Sequence, residues 1–332
     1  RDNETPVDTY TYNVNDSSGG SLTPATDTNT PYSYDKRTTD LSAGYRFNST
    51  ARLNGNISHE TYECETCEVD KTTTDEANLR LRLTPDHEFQ ITLRGGVSDR
   101  DGSTYQPVAG ENPLLRKYNI SDRERTLGGI DISYQPTDQF AINTNLQVSD
   151  DDYDATIVGL TSSKTESITI DASYVANEKL SGHAYIGREQ IKSNQAGSQV
   201  PDSADWFVDN DDTIDSFGLG IKWQQSHKLD IGIDYTYSDT EGETRLTSQS
   251  VNPPLVEFPD LTSELHSLKI YADYKWHRNT SLKLSYRYEE FDVSDWSVDG
   301  VNPDTIPEVL LLGEDNPGYK EHVVGVSLIT RF

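Results

Sequence analysis

The segment Glu321–Phe332 alternates with a period of two: His322, Val324, Val326, Leu328, Thr330 and Phe332 form a mostly apolar row, and the residues between them form a second. Such a period belongs to a strand whose two faces meet different surroundings. A row that ends on a carboxyl-terminal aromatic is how outer-membrane β-barrels usually finish, with the ring at the interface between hydrocarbon and headgroups. Phe332 is therefore read as a membrane-end signal, and the chain as a wall of strands.

The same alternation recurs upstream. Leu282, Leu284, Tyr286 and Tyr288 oppose Lys283, Ser285 and Arg287, and Leu268, Ile270, Ala272, Tyr274 and Trp276 oppose Lys269, Tyr271, Asp273 and Lys275. Leu229 to Tyr237, Phe217 to Trp223, Ile168 to Tyr174, Phe140 to Val148, Ile130 to Tyr134, Phe89 to Leu93, Leu79 to Leu83 and Leu41 to Phe47 repeat the pattern. Segments near Leu53–Ile57 and Leu180–Ile186 fit it less cleanly, and a further strand is expected near Tyr10–Val14. The expected fold is all-β: a transmembrane antiparallel up-and-down barrel of about fourteen strands, each near the length a tilted strand needs to cross a bilayer. Residues 1–332 read as one barrel domain.

The connections alternate in length. Short ones fall at Asn48–Thr50, Thr84–His87, Gln135–Gln139, Ala176–Lys179, Gln224–His227 and His277–Thr280. Long ones fall at Val14–Lys36, Asp101–Tyr118, Lys192–Asp212, Arg245–Ser263 and Ser294–Gly318. Counting back from Phe332 puts every short turn on the periplasmic side and every long loop outside, the asymmetry expected of an outer-membrane barrel.

Mean hydropathy is −0.73 and only 33% of residues are hydrophobic, which would suit a soluble protein. A barrel escapes that inference, because only alternate strand residues face lipid. No run of about 18 apolar residues exists, so spanning helices are excluded. Tyr is abundant at 19 against 8 Phe and 4 Trp, which suits interfacial aromatic belts or ordinary strand propensity. The net charge of −28 lacks the basic footprint that nucleic acid requires. The acid gathers at Asp150–Asp152, Asp209–Asp212 and Asp239–Glu243, read as solvated loops; Ca²⁺ near lipopolysaccharide is a weaker alternative, since none has the spacing of a Ca²⁺ loop. The chain contains no Met, so Arg1 is expected to be a processed or truncated end.

The presumed inner face carries Arg46, Arg80, Arg82, Arg94, Lys222, Lys269, Lys275, Lys283, Arg287 and Arg331. Such a face cannot be a dry core, because burying so many unpaired charges is prohibitive; it must meet water or a polar protein surface. On this ground alone, the chain could be a pore selecting small anionic solutes.

No catalytic motif appears: HExxH, a glycine-rich phosphate loop and a GxSxG elbow are all missing, and an enzyme is not expected. Cys64-Glu-Thr-Cys67 lacks the His that follows a haem-attachment pair, since Glu68 stands there. A local disulfide in an oxidising compartment and a metal or redox role both remain open for Cys64 and Cys67.

Three stretches carry more than barrel grammar: Ser98–Gln106, Leu114–Thr126 and Asp151–Thr161. They resemble the carboxyl-terminal half of the MtrB/PioB family of decahaem-associated outer-membrane barrels, and Arg1–Thr5 and Ile233–Ser238 fit the same pattern. The segment with Leu115, Arg116, Lys117, Tyr118, Asp122, Arg123 and Arg125 is the most specific part. The resemblance covers essentially the whole chain. It implies about half of a larger barrel, of about 26–28 strands, in the bacterial outer membrane. Such a barrel would surround a periplasmic decahaem c-type cytochrome, support an extracellular multihaem cytochrome, and hold no cofactor of its own, the haem being the partner's. The family's CxxC lies near the mature amino terminus, so no role passes to Cys64 and Cys67. A polar sheath would spare a haem wire the several kcal/mol that each unsatisfied polar group costs in hydrocarbon.

Overall fold

The computed structural model describes residues 9–15, 22–29, 32–107, 111–199, 203–248, 255–301 and 318–330. Arg331 and Phe332, and with them the terminal aromatic signal, lie outside the described residues.

Every regular element among the described residues is a strand. β1 (Thr9–Asn15) and β2 (Leu22–Thr28) form a hairpin of their own. β3 (Tyr34–Arg46), β4 (Ala51–Cys64), β5 (Lys71–Leu83), β6 (Phe89–Gly102), β7 (Leu115–Arg116), β8 (Arg123–Thr137) and β9 (Phe140–Asp152) follow. Next come β10 (Val158–Asn177), β11 (Leu180–Gly197), β12 (Trp206–Ser226), β13 (Leu229–Ser248) and β14 (Leu255–Glu257). β15 (Leu261–His277), β16 (Thr280–Ser294) and β17 (Tyr319–Thr330) complete the chain. Thirteen strands from β3 to β17 pair in antiparallel chain order, and the short β7 and β14 attach to β10 and β13. The sheet is open, its edges being β3 and β17.

Side chains of the turn residues explain why the hairpins close where they do. Asn48 Oδ1 accepts from the Thr50 and Ala51 amides at 2.8 Å, and Asp86 Oδ1 accepts from Glu88 and Phe89 at 2.9 and 2.8 Å. Thr137 Oγ1 accepts from the Phe140 amide at 3.1 Å, and Asn177 Oδ1 from that of Lys179 at 2.9 Å. Each supplies a carbonyl mimic that fixes a tight turn without help from distant chain.

The register keeps the rows together across the sheet. Leu41, Ile57, Ala77 and Val97 are successive partners, as are Ala184, Leu219, Tyr235, Leu268 and Tyr288. This face holds large apolar side chains in the open: Leu41 is 71% exposed, Val324 70% and Val326 68%. An exposed apolar surface of that extent needs a non-aqueous neighbour. At a tilt near 40°, the row from Phe217 to Trp223 rises roughly 15 Å and that from Phe140 to Val148 roughly 20 Å, most of an outer membrane's apolar band of roughly 25 Å. Aromatic contacts mark both borders. Phe89 and Tyr134 meet at 5.2 Å near the short turns, and Phe217 with Tyr237 (5.3 Å) and Tyr288 with His322 (5.0 Å) lie toward the long loops.

Two expectations change. The acidic runs at Asp150–Asp152, Asp209–Asp212 and Asp239–Glu243 are not loops but strand, in β9, β12 and β13. A sheet rim standing in water keeps its backbone ladder whatever the side chains, so strands of up to 21 residues outrun the membrane. The Tyr10–Val14 segment is a strand, but it pairs with β2 and not with the wall, which leaves thirteen long strands instead of about fourteen.

Candidate functional site

The polar face divides into regions that treat charge differently. Near the short turns of β3–β6, Arg46, Arg52 and Arg82 are successive cross-strand partners, and in the next row Asn54, Arg80 and Arg94 are. Asp131 is the carboxylate that reaches this group: it accepts from Arg94 Nη2 at 2.9 Å and from Asn145 Nδ2 at 2.6 Å. Arg46 donates to the Asn48 carbonyl at 3.0 Å, Arg52 to Asn54 Oδ1 at 3.1 Å, and Arg82 to Gln90 Oε1. Among the described residues, none of Arg46, Arg52, Arg80 and Arg82 forms an ion pair. Directly opposed like charges destabilise a sheet.

On β12–β17 cations and carboxylates interleave. Lys269 stands between Asp234 and Arg287 in the register, and Lys283 opposite Asp273. Lys275 lies 3.7 Å from Asp230, and Arg287 lies 3.8 Å from both Glu289 and Glu321. The Tyr271 ring takes Lys283 Nζ at 5.2 Å and Lys269 Nζ at 5.8 Å, a cation–π arrangement. Lys222 shares this face, opposite Gly232. Between the two regions the face is mostly neutral, with Asn145 opposite Thr169 and Gln147 opposite Ser167, and its Asp171 accepts from Asn143 at 2.9 Å.

The packed interior lies elsewhere. Among the described residues the buried apolar side chains are Cys64, Val69, Tyr153, Val158 and Ala196, all at the long-loop end. There the β4–β5 tip, the segments 103–107 and 111–122 and the β9–β10 tip fold together as a cap. Cys64 and Cys67 form a disulfide with Cα atoms 5.5 Å apart, and the Cys64 amide donates to the Asp70 carbonyl at 2.8 Å. Arg100, on the polar face of β6, donates from Nε to the Ser121 carbonyl at 2.8 Å and from Nη1 to that of Asn119 at 3.0 Å. Asp122 Oδ1 accepts from the Gly102 amide at 2.7 Å. Arg125 Nη2 donates to Asp151 Oδ2 at 2.6 Å, while Arg123 Nε stands 3.8 Å from the same carboxylate. These bonds hold the segment against the polar side of the wall.

Leu115 and Arg116 pair in parallel with Val158 and Gly159. Gly159 has φ +129°, and a Cβ there would sit 2.4 Å from the Arg116 carbonyl oxygen, so only glycine permits the approach. The Arg116 guanidinium lies 4.6 Å over the Tyr105 ring, and Tyr118 stays exposed. Lys117 bonds Glu68 and stands 3.1 Å from Glu111. The hydrogen bond from Lys117 holds the Glu68 carboxyl below its usual range, and Glu68 in turn raises Lys117; burial raises the Tyr105 phenol.

The structure places Arg46, Arg80, Arg82, Arg94, Lys222, Lys269, Lys275, Lys283 and Arg287 on one face, in separate regions. Leu115, Arg116, Lys117, Tyr118 and Asp122 lie in the cap, while Arg123 and Arg125 open β8 and face Asp151 of β9. Sequence reading passed over Arg52, although Arg52, Asn54 and Asn56 alternate with Leu53, Gly55 and Ile57. Among the described residues no group of three or more His, Cys, Asp and Glu is arranged to hold a metal ion.

The family model described as outer membrane beta-barrel porin, MtrB/PioB, matches residues 1–332. The chain is 28% identical over 336 aligned residues to the outer membrane protein MtrB of Shewanella baltica (strain OS185), covering 99% of this chain and 47% of that protein. The chain thus spans about half the length of the curated relative it matches. Among solved structures it is similar in fold to the copper transporter OprC (11% identity, TM-score 0.53, 89% of this chain and 41% of that one). BauA, the ferric preacinetobactin receptor of Acinetobacter baumannii, is another (12% identity, TM-score 0.51, 92% and 47%).

Proposed function

The chain belongs to the MtrB/PioB family of outer-membrane β-barrel porins, and on that premise we propose that its wall sheathes a multihaem c-type cytochrome carrying electrons across the outer membrane. The observation that carries this reading is a broad open wall whose polar face carries rows of charged side chains. Thirteen strands in 47% of the relative's length scale to about 28 strands overall. With strands about 4.8 Å apart and tilted near 40°, such a barrel is roughly 55 Å across at the backbone. A folded domain about 30 Å wide then fits inside with side chains to spare. Thirteen strands closed on themselves would be only roughly 26 Å across and would leave a pore for small solutes.

In this reading the apolar face meets outer-membrane lipid and lipopolysaccharide, the short turns lie in the periplasm, and the long loops face outward. The polar face seats the periplasmic cytochrome, and the cap supports an extracellular multihaem one. The barrel itself catalyses nothing and carries no cofactor; haem comes with the partner. Its work is to keep charged propionates and polar backbone out of hydrocarbon and to fix the depth of the wire.

The test is purification of the protein from its native outer membrane in mild detergent, followed by an absorbance spectrum and haem stain. A haem protein that stays with the barrel at constant ratio is expected. A haem-free barrel conducting small anions would replace this reading with the pore.

A further inference from the structure

We propose that Arg46, Arg52, Arg80, Arg82 and Arg94 form a docking surface for a carboxylate-rich face of the protein seated in the lumen; this deepens, and rests on, the sheath reading. Five guanidinium groups occupy adjacent positions in two rows of four strands. Their one carboxylate, Asp131, is already engaged by Arg94 and Asn145. Glu76 and Asp40 belong to a row further toward the long loops, beyond Asn56 and Asn78.

Elsewhere on the same face the chain interleaves opposite charges, and overall it carries 56 acidic against 28 basic residues. In so acidic a chain, a group of opposed arginines is a local exception that intramolecular pairing does not relieve. Arg52, Arg80 and Arg94 line one hollow together with Asn54 and Asn78. Gly44 and Gly129 end the row that holds Asn54, Arg80 and Arg94, so neither end adds a side chain beside the guanidinium groups. Arg94 lies over Gly129, with Nη2 3.2 Å from where a Cβ would stand.

Arginine presents a planar fork that matches a carboxylate two bonds at a time, and several forks on a rigid sheet favour a surface bearing several carboxylates over one small anion. Seating such a surface would relieve the Arg–Arg repulsion and set the partner's rotational register against the wall.

The experiment compares two variants of the native complex, Arg46→Gln/Arg52→Gln/Arg80→Gln/Arg82→Gln and Lys269→Gln/Lys275→Gln/Lys283→Gln, with the wild type. The readout is the salt concentration that releases half of the copurifying haem protein, with heat-modifiable electrophoretic migration as the check on barrel folding. The arginine variant is expected to weaken retention about tenfold or more, and the lysine variant far less. Arg80→Lys/Arg82→Lys, with charge but no fork, should fall between them. Equal retention by the arginine variant and wild type overturns the docking surface while leaving the sheath standing. A wild type with no haem protein overturns the sheath itself. If the fourfold variant does not assemble, Arg80→Gln alone must still lower the releasing salt concentration, and no change there overturns the proposal.

Discussion

The β3–β6 and β12–β17 regions are built by the same grammar and differ in what their polar faces do with charge. Both keep an unbroken apolar row toward lipid, and both close on tight turns. On β12–β17, Lys269, Lys275, Lys283 and Arg287 stand among Asp230, Asp234, Asp273 and Glu289. On β3–β6, Arg46, Arg52, Arg80 and Arg82 stand beside each other. The contrast teaches that the apolar face is set by the membrane and is therefore uniform, whereas the polar face is free to vary with what it meets.

The sharpest way to break this contrast is to charge the uniform face. Leu79→Arg on β5 and Leu219→Arg on β12 should each destabilise the barrel by about 2–4 kcal/mol, and by similar amounts, in urea unfolding from lipid. A mild cost at either site would mean that region does not face hydrocarbon. Next in size is the loss of partner retention on arginine neutralisation, about tenfold, set against the small effect of the lysine set.

A smaller difference lies in the carboxylates. Asp131→Asn removes the arginine group's one counter-charge and should cost about 0.5–1 kcal/mol, because Arg94 loses its 2.9 Å partner. Asp234→Asn, whose His183 contact is 4.0 Å, should cost less than about 0.5 kcal/mol in the same unfolding assay. Equal costs would remove the distinction between the regions.

The smallest expected effect is a pH dependence in the cap, at the opposite end of β4–β6 from the arginine group. Glu68 is held below its reference of 4.5, so its contribution is complete above that value and is lost as pH falls through the lowered pKa. Lys117 is raised above 10.5, so its contribution is complete below 10.5 and is lost at more alkaline pH. Limited proteolysis within residues 111–122 should therefore be slowest between these values and quicken in acid. In Lys117→Gln the acid-side change should flatten, while the wall stays protected throughout.

Much of the wall was legible in the sequence because a period of two is a local signal. Leu268, Ile270 and Ala272 declare a face without any knowledge of their neighbours, and Asn48, Asp86 and Asn177 declare their turns. Two things were not legible. Alternation marks a strand without naming its partner, so Tyr10–Val14 looked like wall and pairs instead with Leu22–Thr28. The acid of Asp209–Asp212 suggested loop, yet a ladder in water tolerates charge.

Of the candidate site, the alternating arginines were readable, all but Arg52. That Arg46, Arg52, Arg80 and Arg82 form no ion pair among the described residues was not, since it depends on which strand lies alongside. The cap was recognisable only as a motif. Its bonds join residues far apart in the chain, such as Lys117 with Glu68 and Arg125 with Asp151, and no local pattern encodes them.

The central claim is that this wall encloses an electron wire. The most direct measurement reconstitutes the natively purified complex in liposomes loaded with a reduced dye that cannot leave, then adds an impermeant ferric chelate outside. Rapid dye oxidation that requires the barrel and its haem partner together is the predicted result. Dye that stays reduced while small anions exchange freely across the same membrane would contradict it.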